Sequence, residues 1–587
     1  MSEFTLDDEL LNPDVLVLGS GLQETYLAWQ LSTLGLRILH LDRNQHYGGS
    51  QACLTLNELE SFLTSSSQTF TDATVSRINA DKLKSPRQYN LALAPHLIYP
   101  KQKLYRILEQ NERVEVYSWG VVDGFFTYVP AGEEGKVGDS GVSGKLAGAI
   151  VKARKWNRRN RSSVASMASF ASTETTTSTA PGEEPARDKD DGLIPRPGWN
   201  QGRFRRAPSS EEDIAWAPDI SDADRATMGQ FLRSTAVAPP VGPSESDSSN
   251  EAELRTLLNH LTETYPLPPS LISRITSLLL THTPPSTLPL SIAMQKLRNH
   301  ASNLATVTNV PSAAALIVSY GQLGEICQDW ARLVAVNGGT NILGRHITSL
   351  TQHDNTVSAT LNSGETVTAK WVVGSEAELS GLANVDTLVG RQTLRKGIYI
   401  IDRDLEQLFA FKGAEGKVQQ YQLPSAAVLY YPSESVGNEN PILVMARSSV
   451  TADCPKGQTV LYLSCLKGTA GVDGPMDKAV ETLLDGCEWN LEAQEKPEVV
   501  WKAQWNQIVG TNAKIDGRTL RLGELGGDLS VGDEVWENLD GWVDMLAEGK
   551  GKREDDGDDG EDDDVDEEER EKRRLEKGKG KATEEEE

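Results

Sequence analysis

Asp14-Val15-Leu16-Val17-Leu18-Gly19-Ser20-Gly21-Leu22-Gln23-Glu24 runs from an apolar strand through a glycine turn into a helix, and its last residue decides how the fold is read. In a dinucleotide-binding G-x-G-x-x-G turn, the first two glycines let the backbone bend and approach a pyrophosphate. The third lets the helix pack closely on the strand. Here the third position is Glu24. It adds bulk at the close contact and a carboxylate beside the helix N–H groups that would otherwise hold an anion. The strand-turn-helix signal survives and the ligand signal weakens. A second strand, Leu36-Arg37-Ile38-Leu39-His40-Leu41, ends in Asp42. An acidic residue about 20 positions past such a turn meets a ribose hydroxyl in nucleotide-binding folds. Gly19, Gly21 and Asp42 therefore keep a flavin-dependent oxidoreductase open as a reading, and Gly526-Gly527-Asp528, ahead of a helix at 533–547, adds to it.

A second strand-to-helix passage lies far downstream. The segment from Glu325 to Val336 reads as a helix that begins at Gly321-Gln322-Leu323-Gly324 and is stopped by Asn337-Gly338-Gly339. Glu325, Asp329 and Arg332 fall at i, i+4 and i+7 and share one face; Ile326, Cys327, Trp330 and Val334 take the other. One face is core and one is charged. By spacing alone the charged face is either merely solvated or a binding surface.

Two blocks carry a resemblance. Gly19-Ser20-Gly21-Leu22-Gln23-Glu24 with Leu39-His40-Leu41-Asp42-Arg43-Asn44-Gln45-His46-Tyr47-Gly48-Gly49 resembles the first signature of the Rab GDP-dissociation inhibitor and Rab escort protein superfamily, in which a Glu replaces the third glycine. Tyr320-Gly321-Gln322-Leu323-Gly324-Glu325-Ile326-Cys327-Gln328-Asp329-Trp330-Ala331-Arg332, followed by Gly338-Gly339-Thr340, is similar to that family's Rab-binding helix. The resemblance implies an α/β fold, a flavoprotein-like (GDI-like) βαβ domain carrying a small inserted all-α domain. It implies a Rab-binding platform at Tyr47, Tyr320, Glu325, Arg332 and Ile342, the last standing where relatives often carry Met. It also implies a vestigial nucleotide turn at Gly19, Gly21, Glu24 and Asp42, with no cofactor, no metal and no catalytic residue. The implied partners are GDP-bound Rab GTPases, the Rab geranylgeranyltransferase α/β heterodimer and the geranylgeranyl lipid. The implied location is cytoplasmic, with transient membrane delivery. By the same analogy, Met228, Phe231, Leu232, Ile272, Ile275 and Leu279 are candidates to receive a lipid, against their plainer reading as helix core. A long insert, the extended C-terminal half and Ala452-Asp453-Cys454-Pro455-Lys456-Gly457 favour the escort branch over the recycling inhibitor.

Composition sets the boundaries. The 587 residues exceed what one core holds. Residues 1–130 read as the first part of the flavoprotein-like domain, with Tyr89–Leu93, Val114–Tyr117 and Gly124–Val129 as strands. Residues 131–218, rich in Ser, Thr, Gly, Pro and charge, read as a disordered linker insert containing a short basic helix at Lys145–Arg161. Helical periodicity over 219–305 marks the inserted domain, at Ile220–Ser234, Leu254–Leu261, Pro269–Thr281 and Leu290–His300; residues 306–548 complete the larger one. Residues 549–587 hold 10 Lys/Arg against 19 Asp/Glu and read as a disordered acidic tail. The formal net charge of −27 repels nucleic acid and anionic surfaces. Five scattered cysteines with no C-x-x-C pair argue against a disulfide framework and against zinc, and point to a reducing compartment. Neither a signal peptide nor an apolar run of about 18 residues is present in the sequence.

Overall fold

Four buried apolar residues in a row, Val15–Leu18 (β1), make a strand covered on both faces. The computed structural model describes residues 6–65, 69–130, 200–201, 203–217, 219–237, 255–304, 313–379, 391–405, 425–468, 474–486, 496–510 and 512–548, with the isolated 306, 382 and 408. β1 leads through Gly21 into helix α1 (Leu22–Thr33) and on to β2 (Ile38–Asp42), the βαβ start that the glycine turn predicts. Further along come the long strand β3 (Trp119–Tyr128) and three helices, α2 (Asp222–Val237), α3 (Pro269–Ser277) and α4 (Leu290–Asn303). Strand β4 (Ala315–Val318) then enters α5 (Gln322–Val336), followed by β5 (Thr340–Leu343) and β6 (Trp371–Ser375). The chain closes with β7 (Gln392–Ile401), β8 (Ile442–Ser448), β9 (Thr459–Leu466), β10 (Val499–Val509), β11 (Thr519–Leu522) and α6 (Asp533–Leu546).

Two sheets organise these elements. The first has the order β5-β2-β1-β6-β11, all parallel, with an antiparallel edge at Lys514–Asp516. Side chains alternate across it. Val15, Val17 and Ile38 face a core with Tyr26, Trp29, Trp330 and Trp536 from α1, α5 and α6. Leu16, Leu18, Leu39 and Leu41 face a small three-stranded sheet made of Ile347–Gln352, Val357–Leu361 and Thr366–Ala369. The second sheet has ten strands; β7 pairs with β9 and β10, β8 with β9, and Ala426–Tyr431 bridges β8 to β3.

The helices α2, α3 and α4 have no private core. Met228, Phe231, Ile272, Ile275 and Leu279 are buried in one cluster with Phe125, Ile398, Val428 and Trp501 of the large sheet, and Leu232 packs partly buried against it. Their plainer reading as core residues is the one observed.

Three sequence readings need correction. Val114–Tyr117 is not a strand; Val114–Val116 form a 3-10 turn, pinned where Trp119 Nε1 donates to the Val114 carbonyl at 2.9 Å. The linker insert does not extend to 218. Phe204–Arg206 pairs antiparallel with β3, Glu211–Trp216 is a helix whose cap Ser210 accepts from the Asp213 N–H, and Phe204, Ile214 and Ala217 are buried. A few apolar anchors inside a polar composition are averaged away in any compositional window, yet they suffice to dock a strand. Leu254–Leu261 is shorter than its periodicity, with Leu257–Asn259 passing into a π turn at His260–Thr264. The residues 131–199, the basic segment Lys145–Arg161 and the tail 549–587 lie outside the described residues. Among the described residues the cysteines are unpaired, no group of ligands is arranged for a metal ion, and no helix is long and apolar enough to cross a membrane.

Candidate functional site

The α1 entry turn is closed by the chain itself. The Leu22 N–H, a free donor of the helix N-terminus, is taken by Gln51 Oε1 at 3.0 Å. A Cβ at Gly21 would stand 2.6 Å from Glu24 Oε2 and 3.0 Å from Gln51 Oε1, and one at Gly19 would stand 3.2 Å from Glu378 Cγ. The space over these glycines is therefore filled by side chains with acceptor oxygens. Asp42 is also spent. Its Oδ2 accepts from the Ser20 N–H at 2.8 Å and Ser20 Oγ at 2.5 Å, and its Oδ1 from the Asn44 N–H at 2.7 Å. A dinucleotide does not fit these residues, because the pyrophosphate position and the ribose acceptor are both occupied.

The same filling shapes the local electrostatics. Burial, and then the charges of Glu524, Asp42 and Glu378, push the Glu24 carboxyl up to about 8. Burial likewise raises Glu378 to about 7, against the pull of Arg43, whose Nε lies 2.8 Å from Glu378 Oε1. Glu524 rises to about 7 through burial and Glu376. The shared cause is burial of several carboxyls together, which favours their protonated forms.

The α5 entry turn does the opposite. Tyr320, Gly321 and Gln322 all have positive φ, at 61°, 136° and 54°, so two side-chain-bearing residues on either side of a glycine take positive φ. The outcome is an aromatic ring turned outward, with Tyr320 62% exposed. Glu325 is exposed in the first helical turn, where partial burial and the neighbouring Asp329 raise its carboxyl above the usual range. The Arg332 side chain is 71% exposed, about 10 Å further along the helix axis.

The segment that follows Tyr47 is set by its glycines and reaches α5. Gly48, at φ 106°, has no room for a Cβ against Ala52 Cα at 2.7 Å, and its N–H bonds the Ser20 carbonyl at 3.0 Å. The chain then packs Gln51 and Cys53 against Gly324 of α5, whose Cβ would meet Cys53 N at 3.0 Å. Tyr47 is half-buried beside Asp42, and desolvation followed by that charge raises its hydroxyl above the ordinary value.

Two expected members stand elsewhere. Asp329 does not share the exposed face; it is 8% exposed, with Arg113 Nε at 2.9 Å and the Tyr117 hydroxyl at 2.8 Å. The turn at 113–117, misread as a strand, supplies both partners and draws this carboxylate inward. Ile342 is paired with Leu41 and packs beside Leu16 and Leu39 on the sheet face away from α5, whereas its neighbour Asn341 donates to the Ala331 carbonyl of α5 at 2.8 Å. Strand alternation separates Ile342 from the other four positions. The sequence reading also missed Val450, 64% exposed, in a turn whose Thr451 carbonyl accepts from the Tyr320 N–H at 3.2 Å. Its only sequence signal is a valine between polar residues.

A flavoprotein-like scaffold with a self-filled nucleotide turn and an outward-facing helix edge is thus the class of protein that fold and site define. Residues 7–158 match the GDP dissociation inhibitor family. The chain is 34% identical over 124 residues to guanosine nucleotide diphosphate dissociation inhibitor 1 of Arabidopsis thaliana, covering 21% of this chain and 25% of that one. It is 28% identical over 121 residues to Rab proteins geranylgeranyltransferase component A of Saccharomyces cerevisiae, 20% of each chain. These matches span a quarter or less of the relatives' length. The crystal structure of a Rab GDI from Plasmodium falciparum shares the fold, with a TM-score of 0.58, 17% identity, and coverage of 92% of this chain and 97% of that one. The first quarter of the chain is thus similar to the GDP dissociation inhibitor family, and the chain as a whole shares its fold with a Rab GDI.

Proposed function

We propose that this protein is a Rab escort protein. It binds GDP-bound, unprenylated Rab GTPases, presents them to the catalytic geranylgeranyltransferase heterodimer and accompanies the lipidated product to membranes. The observation that carries this reading is the pairing of a nucleotide turn filled by Glu24 and Gln51 with an exposed edge of Tyr320, Glu325 and Arg332 on the adjoining helix. Arg332 offers a planar fork to carboxylates or carbonyls, Glu325 accepts from an Arg or N–H, and Tyr320 supplies rigid apolar area with a polar tip. Tyr47, four residues before the Gln51 that packs on Gly324, is assigned to the same edge by the resemblance. Ile342, on the far sheet face, is left out of it.

The role is presentation rather than catalysis, since the resemblance puts the zinc and isoprenyl diphosphate sites in the partner enzyme. The long insert and the Ala452–Gly457 segment support the escort branch; a Rab GDP-dissociation inhibitor that recycles prenylated Rab is the second reading, supported by the family match over 7–158. In vitro geranylgeranylation of a Rab by the heterodimer, with and without this protein, separates the two. Dependence of the reaction on the added chain supports the escort role. Extraction of prenylated Rab from vesicles without any such dependence supports the inhibitor. Purified protein is expected to be colourless, and stoichiometric flavin absorbance would overturn both.

A further inference from the structure

Beside the outward edge lies a fully buried ion pair. Arg447 is 0% exposed and Asp453 1% exposed, with Arg447 Nε 2.8 Å from Asp453 Oδ2. Taking two charges out of water costs several kcal/mol per ion, which an apolar pair of the same volume avoids. The network is also incomplete, since Arg447 Nη1 and Gln322 Oε1 are buried without a hydrogen-bond partner. Stability alone does not account for it.

Its connections all lead to the α5 entry turn. Asp453 Oδ1 accepts from Gln322 Nε2 at 2.7 Å and from the Tyr462 hydroxyl at 2.6 Å. Arg447 Nη2 donates to the carbonyl of Val318, the last residue of β4, at 3.0 Å. The Thr451 hydroxyl donates to Asp453 Oδ2 at 2.5 Å, and the Thr451 carbonyl holds the Tyr320 N–H. From the other side, Asn90 donates its side chain to the Ala452 carbonyl at 2.8 Å. A left-handed non-glycine residue costs on the order of 1 kcal/mol and persists only where its surroundings over-determine it. Tyr320, Gln322 and Ala452, at φ 61°, 54° and 60°, are three such residues converging on one carboxylate. What they hold outward are Tyr320 and Val450, two of the large hydrophobic side chains left exposed among the described residues.

We propose that Asp453, clamped by Arg447, is a positioning residue for the partner-binding edge, fixing Tyr320 and Val450 as one rigid apolar lip against which the bound GTPase packs. This rests on the reading of the chain as a Rab-binding protein and adds to it the 448–453 turn and the residues behind it. Pre-ordering an aromatic anchor removes the ordering cost that a flexible one pays on binding.

The test is a titration of a GDP-loaded Rab against the full chain, with Tm measured alongside. Tyr320→Ser and Val450→Ser each weaken binding about tenfold with Tm unchanged, because both side chains are exposed. The paired replacement Arg447→Met with Asp453→Leu, an apolar exchange that buried ion pairs often tolerate, weakens binding about tenfold. In that background Tyr320→Ser costs less than about threefold more, because the ring is no longer pre-placed. Gln322→Gly, which suits a positive φ and cuts the Gln322 Nε2 links to Asp453 and to the Tyr462 hydroxyl, weakens binding without lowering Tm. Full additivity of Tyr320→Ser with the pair replacement, or unchanged affinity in Gln322→Gly, overturns the positioning role. Capture lost on Glu325→Lys with Arg332→Glu but untouched by Tyr320→Ser overturns this proposal alone. A wild-type chain that binds no GDP-loaded Rab overturns the reading beneath it as well.

Discussion

The two helix entries, Gly19-Ser20-Gly21 into α1 and Tyr320-Gly321-Gln322 into α5, begin alike and end as opposites. Each follows a four-residue strand with every residue buried, and the helices they open pack side by side on one sheet face. At the first, polar side chains fold inward. Gln51 takes the helix N–H and Glu24 stands over Gly21. At the second, the backbone bends through the left-handed region, and an aromatic ring and a carboxylate are turned out. A helix terminus sealed by its own chain and a helix edge turned to solvent are thus alternative outcomes of one supersecondary unit. Which use prevails depends on whether a neighbour supplies the acceptor.

Charge reversal on the outward side, Glu325→Lys with Arg332→Glu, is expected to have the largest effect. Binding of a GDP-loaded Rab should fall by roughly a thousandfold, about 4 kcal/mol, with Tm within a degree or two of wild type. A large fall in Tm would instead make these residues structural. Asp329→Ala probes the inward-turned member of the same helix. It strands Arg113 beside the Tyr117 hydroxyl and should cost roughly 3 kcal/mol in denaturant unfolding. A cost near zero would return Asp329 to the solvated face.

The filled turn has its own signature in pH. The Glu24 carboxyl sits at about 8 when folded against an ordinary value of 4.5, so the folded state holds a proton that the unfolded chain releases. Its contribution is therefore fully present below about pH 4.5 and is lost as pH rises through 8. Glu24→Gln should flatten that slope and raise stability at pH 8 by about 1 kcal/mol or more, a gain of a few degrees in Tm. The same variant should gain nothing at pH 5, and an equal gain at both pH values would show that the carboxyl is not the cause. The smallest effect is expected from removing residues 549–587. Both Tm and support of geranylgeranylation should stay at wild-type levels, and a lost reaction would give the tail a role in partner binding.

The residues differ in how far they announced themselves. Glu24 at the third glycine position, the stop at Gly338-Gly339 and the buried stripe of α5 are local patterns, and the structure reproduces each. Asp329 and Ile342 misled because spacing along an element says which residues share a face, not what covers that face. Arg447 gave no signal, Val450 only a valine between polar residues, and Asp453 stood out only as part of the Ala452–Gly457 segment, since their contact with the α5 entry lies in a turn more than a hundred residues from Tyr320. Phe204 and Ile214 were lost in a polar stretch because docking needs only a few anchors.

The order of strands and helices, the bends that only glycine permits and the loss of the third glycine were written in the chain, because each depends on neighbours within a turn or two. Whether a given polar group faces protein or solvent was decided by the tertiary structure. Gln51 closes one helix end from 29 positions away and Asp453 braces the other from 131. Burial of a donor, an acceptor or a charge is set by what packs over it, and that is a property of the assembled sheets and helices rather than of any one segment.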